Sequence, residues 1–166
     1  MTLEILQIVT VLLVAVAMIP AVAHALELPG KMRLGKDNYF AVQRIYYPGF
    51  TFAGIAEPVS FLSTIALLFF TPRETLAFWL TVLVGLCLLF MQAVYWIFVH
   101  PVNTVWVEGE SMGALGSGFF GFGRPAVQSG THAPDWTDFR RRWEYAHLVR
   151  ASLVAIGFLA LIVAIS

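Results

Sequence analysis

Read for hydrophobic and polar positions, the chain divides into four long apolar runs, Leu3–Leu26, Gly49–Phe70, Thr75–Val99 and Tyr145–Ile165, separated by polar connections of unequal length. Each run is close to the roughly 20 residues a helix needs to cross a hydrocarbon core. The last helix is expected to start upstream of its apolar run. There Pro134–Asp135 supplies an opening turn, with Asp135 as N-cap and Asp138 near the positive end of the helix dipole. That helix begins outside the membrane and runs into it. The pattern predicts an all-α fold, a four-transmembrane-helix bundle forming a single membrane domain over residues 1–166, with helices at about 3–26, 49–70, 75–99 and 136–165.

The connections carry their own signals. Leu28–Pro29–Gly30 is expected to stop the first helix, and Asp37–Tyr47 reads as an amphipathic stretch along the surface, with Phe40, Tyr46 and Tyr47 suited to the membrane interface. Glu57 precedes Pro58, which has no N–H to give the carbonyl of Gly54, so a kink is expected in the second helix. The long connection before the fourth helix holds Gly113, Gly116, Gly118, Gly121 and Gly123 around Phe119, Phe120 and Phe122. It reads either as an apolar flap or as a linker.

Charge settles an orientation. Lys31, Arg33, Lys36 and Arg44 lie in the first long connection, and Arg124, Arg140, Arg141 and Arg142 lie before or at the start of the fourth helix. The tight Thr71–Glu74 turn has only Arg73. By the positive-inside rule both long connections face the cytoplasm, with both termini on the other side; a bacterial inner membrane is the expected location. Ala21, Ala23 and Ala25 give spacing suited to signal cleavage, but the start of the run lacks Lys and Arg, so the first helix reads as retained.

With 59% hydrophobic and 12% charged residues among 166, the composition is far more apolar than that of soluble domains, and the bilayer is the expected partner. The formal charge is zero, which gives no bias toward nucleic acid. The one cysteine, Cys87, allows no internal disulfide and reads as a packing residue. Small residues such as Gly85 and Gly157 permit close helix contact, within a bundle or between subunits, and self-association is left open.

The few polar groups inside the apolar helices are the candidate chemistry. Counting helical rise from the non-cytoplasmic ends puts Glu57 and Arg150 at about 20 and 22 Å, Gln92 and His147 at about 26 and 27 Å, His24 at about 31 Å, and Glu27 and His100 at about 36 and 37 Å. All four helices therefore contribute to one slab. Arg140, Trp143, Glu144, His147 and Arg150 share a face of the fourth helix, and Gln92, Tyr95, Trp96, Val99 and Asn103 share one of the third, with His100 beside them. A charged or imidazole group facing lipid is costly, so these faces are expected to turn inward around a polar pocket in the cytoplasmic half.

Two readings stand side by side for most of these groups. Glu57 and Arg150 either line the pocket or form an ion pair that fixes helix register. His24-x-x-Glu27 and Glu144-x-x-His147 put a carboxylate and an imidazole on one face of each of two helices. The second spacing is used by four-helix di-iron proteins. With Glu57 and His100, these residues make a candidate transition-metal set, and two of the histidines make a weaker candidate for haem ligation. Simple interfacial hydrogen bonding is the competing account. His132 reads as a solvated loop residue, and Trp106 and Trp136 as belt residues.

Four segments carry a resemblance: A-H-A-L-E-L-P-G-K at Ala23–Lys31, Y-P-G-F-T-F-A-G-I-A-E-P at Tyr47–Pro58, H-P-V-N at His100–Asn103 and R-W-E-Y-A-H at Arg142–His147. Together they resemble the anthrone oxygenase-like family of small four-helix membrane proteins, over nearly the whole chain except the Gly-rich connection. The resemblance implies oxidation of anthrones, fused aromatic ketones, to anthraquinones by molecular oxygen, with no metal or flavin. On matching positions it points to His24, His100, Asn103, Trp143 and His147 as catalytic candidates. The chemistry asks for a base that removes an acidic hydrogen beside an aromatic carbonyl. His147 or His24 is expected as that base, with Asn103, Gln92 or Arg150 stabilising the oxyanion and Trp96 and Trp143 flanking a flat lipophilic substrate, near Glu57. A non-catalytic ligand-binding or accessory protein, and a metal- or haem-binding protein, are the alternative functions.

Overall fold

A computed structural model describes residues 2–46, 48–107 and 135–166. Tyr47, the Gly-rich stretch, Arg124, His132 and Pro134 lie outside the described residues. The described chain is all-α: α1 (Thr2–Lys31), α2 (Lys36–Gln43), a 3-10 turn (Arg44–Tyr46), α3 (Gly49–Gly54), α4 (Ala56–Phe70), α5 (Leu76–Val94), a π-helical turn (Tyr95–Val99), α6 (His100–Val107) and α7 (Trp136–Ile165). Four stretches are long and apolar enough to cross a membrane: Leu3–Lys31, Gly49–Phe70, Leu76–Thr104 and Trp136–Ile165. The protein is an integral membrane protein.

The helices form a ring in the order α1, α4, α5, α7, each packing on its two neighbours. The start of α1, the end of α4, the start of α5 and the end of α7 meet around a cavity of about 180 Å³, so neighbouring helices run antiparallel. Val14, Leu67, Val84, Leu88, Met91, Val154 and Leu161 fill the core. Leu12, Ile19, Leu62, Phe69 and Leu159 point outward and exposed, which suits helices solvated by lipid. Where α5 meets α7, Gly157 lets the backbones close in. A Cβ there would stand 3.2 Å from the Cβ of Cys87, itself buried and free.

Two helix boundaries differ from expectation, each for a visible reason, and the interruption expected at Pro58 is present. α1 does not stop at Leu28–Pro29–Gly30 but carries Pro29 within its last turn and ends at Lys31. Pro29 forfeits one backbone donor, and the extra turn brings the Lys31 ammonium between two carboxylates, Glu27 at 3.6 Å and Glu144 at 3.1 Å. The third helix does not end at Val99 but widens and continues to Val107. There the backbone N–H of His100 reaches the carbonyl of Tyr95, Pro101 has no N–H to give Ile97, and the Arg142 guanidinium fills the vacated place on the Ile97 carbonyl at 2.6 Å. The second span is broken at Ile55, where Pro58 leaves the Gly54 carbonyl without its helical donor.

The segment after α1 departs most from its expected surface position. α2 and its 3-10 turn fold against the end of the bundle, with Tyr39 fully buried and Tyr46 nearly so. Phe40 packs on Trp106 and Trp136, so neither tryptophan is a simple belt residue. Arg140 lies over the Trp136 ring and donates to the Leu34 carbonyl at 3.0 Å. α7 starts as expected. Asp135 accepts from the backbone N–H of Thr137 at 3.2 Å and from its hydroxyl at 2.7 Å, and the Thr137 hydroxyl bond holds the carboxyl below the usual carboxylate range.

Candidate functional site

Two imidazoles from different helices meet at the centre of the polar slab. His24 of α1 and His147 of α7 have ring centroids 4.3 Å apart and are both buried. Helical spacing gathers each set on one face, His24 with Glu27 and Lys31, and His147 with Trp143, Glu144 and Arg150, and the packing of α1 on α7 brings the two faces together. Around the pair stand Trp143, 4.8 Å from His24 and 4.1 Å from His147, with Tyr46 at 4.6 Å and Phe50 at 5.0 Å from His24. An aromatic wall thus encloses the imidazoles.

Each imidazole has a cation behind it. The Lys31 ammonium lies 3.4 Å from Nδ1 of His24 and sits over the rings of Trp143 and Tyr46. The Arg150 guanidinium lies 3.1 Å from Nδ1 of His147 through Nη1 and bonds Oε1 of Glu57 at 2.5 Å through Nη2. Gln92 donates to the other Glu57 oxygen at 3.1 Å. Glu57 and Arg150 are therefore an intramembrane ion pair tying α4 to α7, and the pair also abuts the histidines. Burying two charges costs several kcal/mol per ion, and only bonds of this kind offset it.

Toward the connection end the same network continues through carboxylates and phenols. Tyr39 donates to Glu144 at 2.8 Å and Tyr46 to Glu27 at 2.5 Å. Burial, and then the adjacent carboxylate charge, push the Tyr39 phenol above its ordinary range; burial and the bond to Glu27 do the same to Tyr46. The Glu27 side chain is 39% exposed while those of Lys31 and Glu144 are essentially covered, so Glu27 is the edge of this cluster that meets solvent.

The structure brings together His24, His147, Trp143, Arg150, Glu57 and Gln92 among the residues chosen from the sequence. It places others differently. His100 is buried, but its ring packs on Tyr95 at 6.0 Å and Trp96 at 4.9 Å, away from the histidine pair. Trp96 is half exposed on the outside of the bundle, so it does not face Trp143 across a substrate, and that expected clamp is corrected. Asn103 and Gln92 are each taken up by another bond, Asn103 accepting from the Trp143 indole at 2.8 Å. Both keep amide N–H capacity beyond these bonds, Asn103 through Nδ2 and Gln92 through the second hydrogen on Nε2.

The metal set is also corrected. Among the described residues no group of three or more His, Cys, Asp or Glu is placed to hold a metal. His24, Glu27, Glu57, His100, Glu144 and His147 do not converge, because the three carboxylates turn to Lys31, Arg150 and the two phenols.

Lys31, Tyr39, Tyr46 and Phe50 were missed as site residues. Lys31 had a legible signal, since it lies four residues after Glu27 and seven after His24 on one helical face. The tyrosines had none, because they reach the site through a change of chain direction. Set against protein-family models, curated proteins and solved structures, the chain matches none of them.

Proposed function

We propose that this protein is a membrane enzyme of oxygenase or related redox type acting on a lipophilic aromatic ketone with an acidic C–H beside its carbonyl. One observation carries the reading: two imidazoles from separate helices touch inside an aromatic wall, with a cation at the back of each. Such a site holds a proton acceptor beside positive charge, which is what forming a carbanion or enolate requires. The Gly-rich connection end faces the cytoplasm on the charge pattern, in a bacterial inner membrane, with both termini opposite.

The imidazoles divide the work by their surroundings. His24 takes the substrate proton on Nε2, with Nδ1–H facing Glu27 at 3.8 Å, and Glu27 offsets the Lys31 charge 3.4 Å from Nδ1 once the imidazolium forms. The electron pair stays on the substrate as an enolate, which Lys31 and Arg150 favour by charge. Molecular oxygen is the oxidant, and the sum is a CH₂ group plus O₂ giving a carbonyl and water. Access from the bilayer is favoured at α3, a short helix with no buried residue, beside the break at Ile55. Phe50 on that helix touches His24.

The test is turnover. The purified protein in nanodiscs, given an anthrone in aerated buffer, is expected to form the anthraquinone, and His24→Ala to lose most of that rate. Equal rates in the two proteins would remove the proposal. A second reading, a non-catalytic membrane accessory protein, is favoured by the close packing of rings on four sides of His24. It predicts no turnover in either protein and a loss of stability in His24→Ala. An absorption spectrum with elemental analysis tests the metal and haem alternative directly.

A further inference from the structure

On the outer side of the bundle the Arg142 guanidinium is held in place by a break in helix geometry. Pro101 leaves the Ile97 carbonyl without its helical donor, and Nη2 of Arg142 bonds that carbonyl at 2.6 Å while the guanidinium lies 5.5 Å from the centre of the Phe98 ring. A guanidinium has five donors and no acceptor. The bond to Ile97 spends one of them, and among the described residues no carboxylate pairs with Arg142, not even Asp138 one turn before it. Arg142 and Arg141 are both exposed, so the other donors are left for a partner outside the bundle.

Depth selects the partner. By helical rise from the opposite ends of their helices, Ile97 stands at about 33 Å and Arg142 at about 34 Å, just beyond a hydrocarbon core roughly 30 Å thick. That is the level of headgroup phosphates. Around and below the guanidinium the surface is apolar: Tyr145 and Val149 on α7, and Ile97 and Phe98 on the π-helical turn, are exposed, and these two elements pack side by side. We infer that Arg142, with Arg141 adding a second charge, binds the phosphate of an anionic phospholipid in the leaflet at the connection end, the acyl chains lying along Tyr145, Val149 and Phe98. The planar fork of an arginine suits charge-assisted bonds to phosphate, and basic residues at a bilayer surface favour anionic lipid. Ile97 and Phe98 already hold the guanidinium, so little side-chain freedom remains to be lost on binding. The inference is independent of the histidine site and of the reaction proposed there.

Native mass spectrometry of the full chain in detergent counts bound lipids one by one. The probes are phosphatidylglycerol, phosphatidylcholine with the same acyl chains, and glycerol 3-phosphate, which has the phosphate without the chains. The first phosphatidylglycerol is expected to bind at least about fivefold more tightly than phosphatidylcholine, as each basic residue near a bilayer surface contributes to anionic-lipid binding. Glycerol 3-phosphate at equal concentration is expected not to displace it. Arg142→Gln should weaken phosphatidylglycerol binding by about tenfold, the worth of one hydrogen bond to a charged group. Arg33→Gln removes the same charge from another exposed position at the same end and is expected to leave that binding nearly unchanged. Equal losses in the two variants would show general surface charge and overturn the inference. Wild-type protein that binds the two lipids equally, or releases phosphatidylglycerol to glycerol 3-phosphate, overturns it whether or not Arg142→Gln folds.

Discussion

The Glu57–Arg150 pair makes the sharpest stability prediction. Arg150→Met removes the 2.5 Å bond to Glu57 and the 3.1 Å bond to His147, leaving a carboxylate that is 7% exposed with only the Gln92 amide. Hydrogen bonds to charged groups contribute about 1.5–3 kcal/mol each, and breaking a buried pair from one side costs about 3–5 kcal/mol. A lone ionised residue at the centre of a membrane helix costs about 2.5–3.5 kcal/mol on insertion scales, so the two routes agree. The double variant Glu57→Leu/Arg150→Met strands no charge and is expected within about 1 kcal/mol of wild type, or more stable. The coupling between the sites is therefore about 3 kcal/mol or more. Detergent-titrated unfolding in mixed micelles, followed by far-UV circular dichroism and tryptophan fluorescence, measures all four proteins. Single-variant losses that add to the double-variant loss within about 0.5 kcal/mol would refute the reasoning.

Further outcomes follow from the packing and the network. Gly85→Ala is expected to stabilise by about 0.5–1 kcal/mol, since its new Cβ meets Thr64 at an ordinary 3.9 Å, whereas Gly157→Leu should destabilise by about 1–3 kcal/mol against Cys87; thermal unfolding separates the two. Trp143→Phe keeps the ring but strands Oδ1 of Asn103, for an expected loss of about 1–3 kcal/mol in the same micelle assay. Alkaline stability is a test of Tyr39, whose phenol pKa is raised on folding, first by burial and then by Glu144. The native state keeps its proton where the unfolded chain loses it, so the contribution is complete below about pH 10 and declines above it, by about 1.4 kcal/mol per pH unit. Tyr39→Phe should be less stable near neutral pH, because Glu144 loses a donor, yet show a correspondingly shallower alkaline decline; parallel curves would count against this account.

Much of the architecture was legible along the chain, because crossing a bilayer imposes a length and an apolar composition that any helix must satisfy alone. The four spans, the Asp135 cap, the interruption near Pro58 and the shared faces that carry His24 with Glu27 and Trp143 with His147 are local consequences of spacing. Helix ends were less legible. Pro29 and Pro101 each remove one donor, but whether a helix survives that loss depends on what a distant side chain supplies, Lys31's two carboxylates in one case and Arg142 in the other.

Partnership was decided only in three dimensions. Depth along the helices put His100 in the same slab as His147, and a shared face put Trp96 with Gln92 and Asn103, yet across the π-helical turn Trp96 is half exposed and His100 packs on Tyr95 and Trp96. Likewise nothing in the order of residues shows that Tyr39 folds back to Glu144, 105 positions away, and so joins a carboxylate that stood as one of several candidate metal ligands. Periodicity specifies which side chains share a face. Which faces meet is settled by packing, where each buried charge must find a compensating group and takes the one within reach.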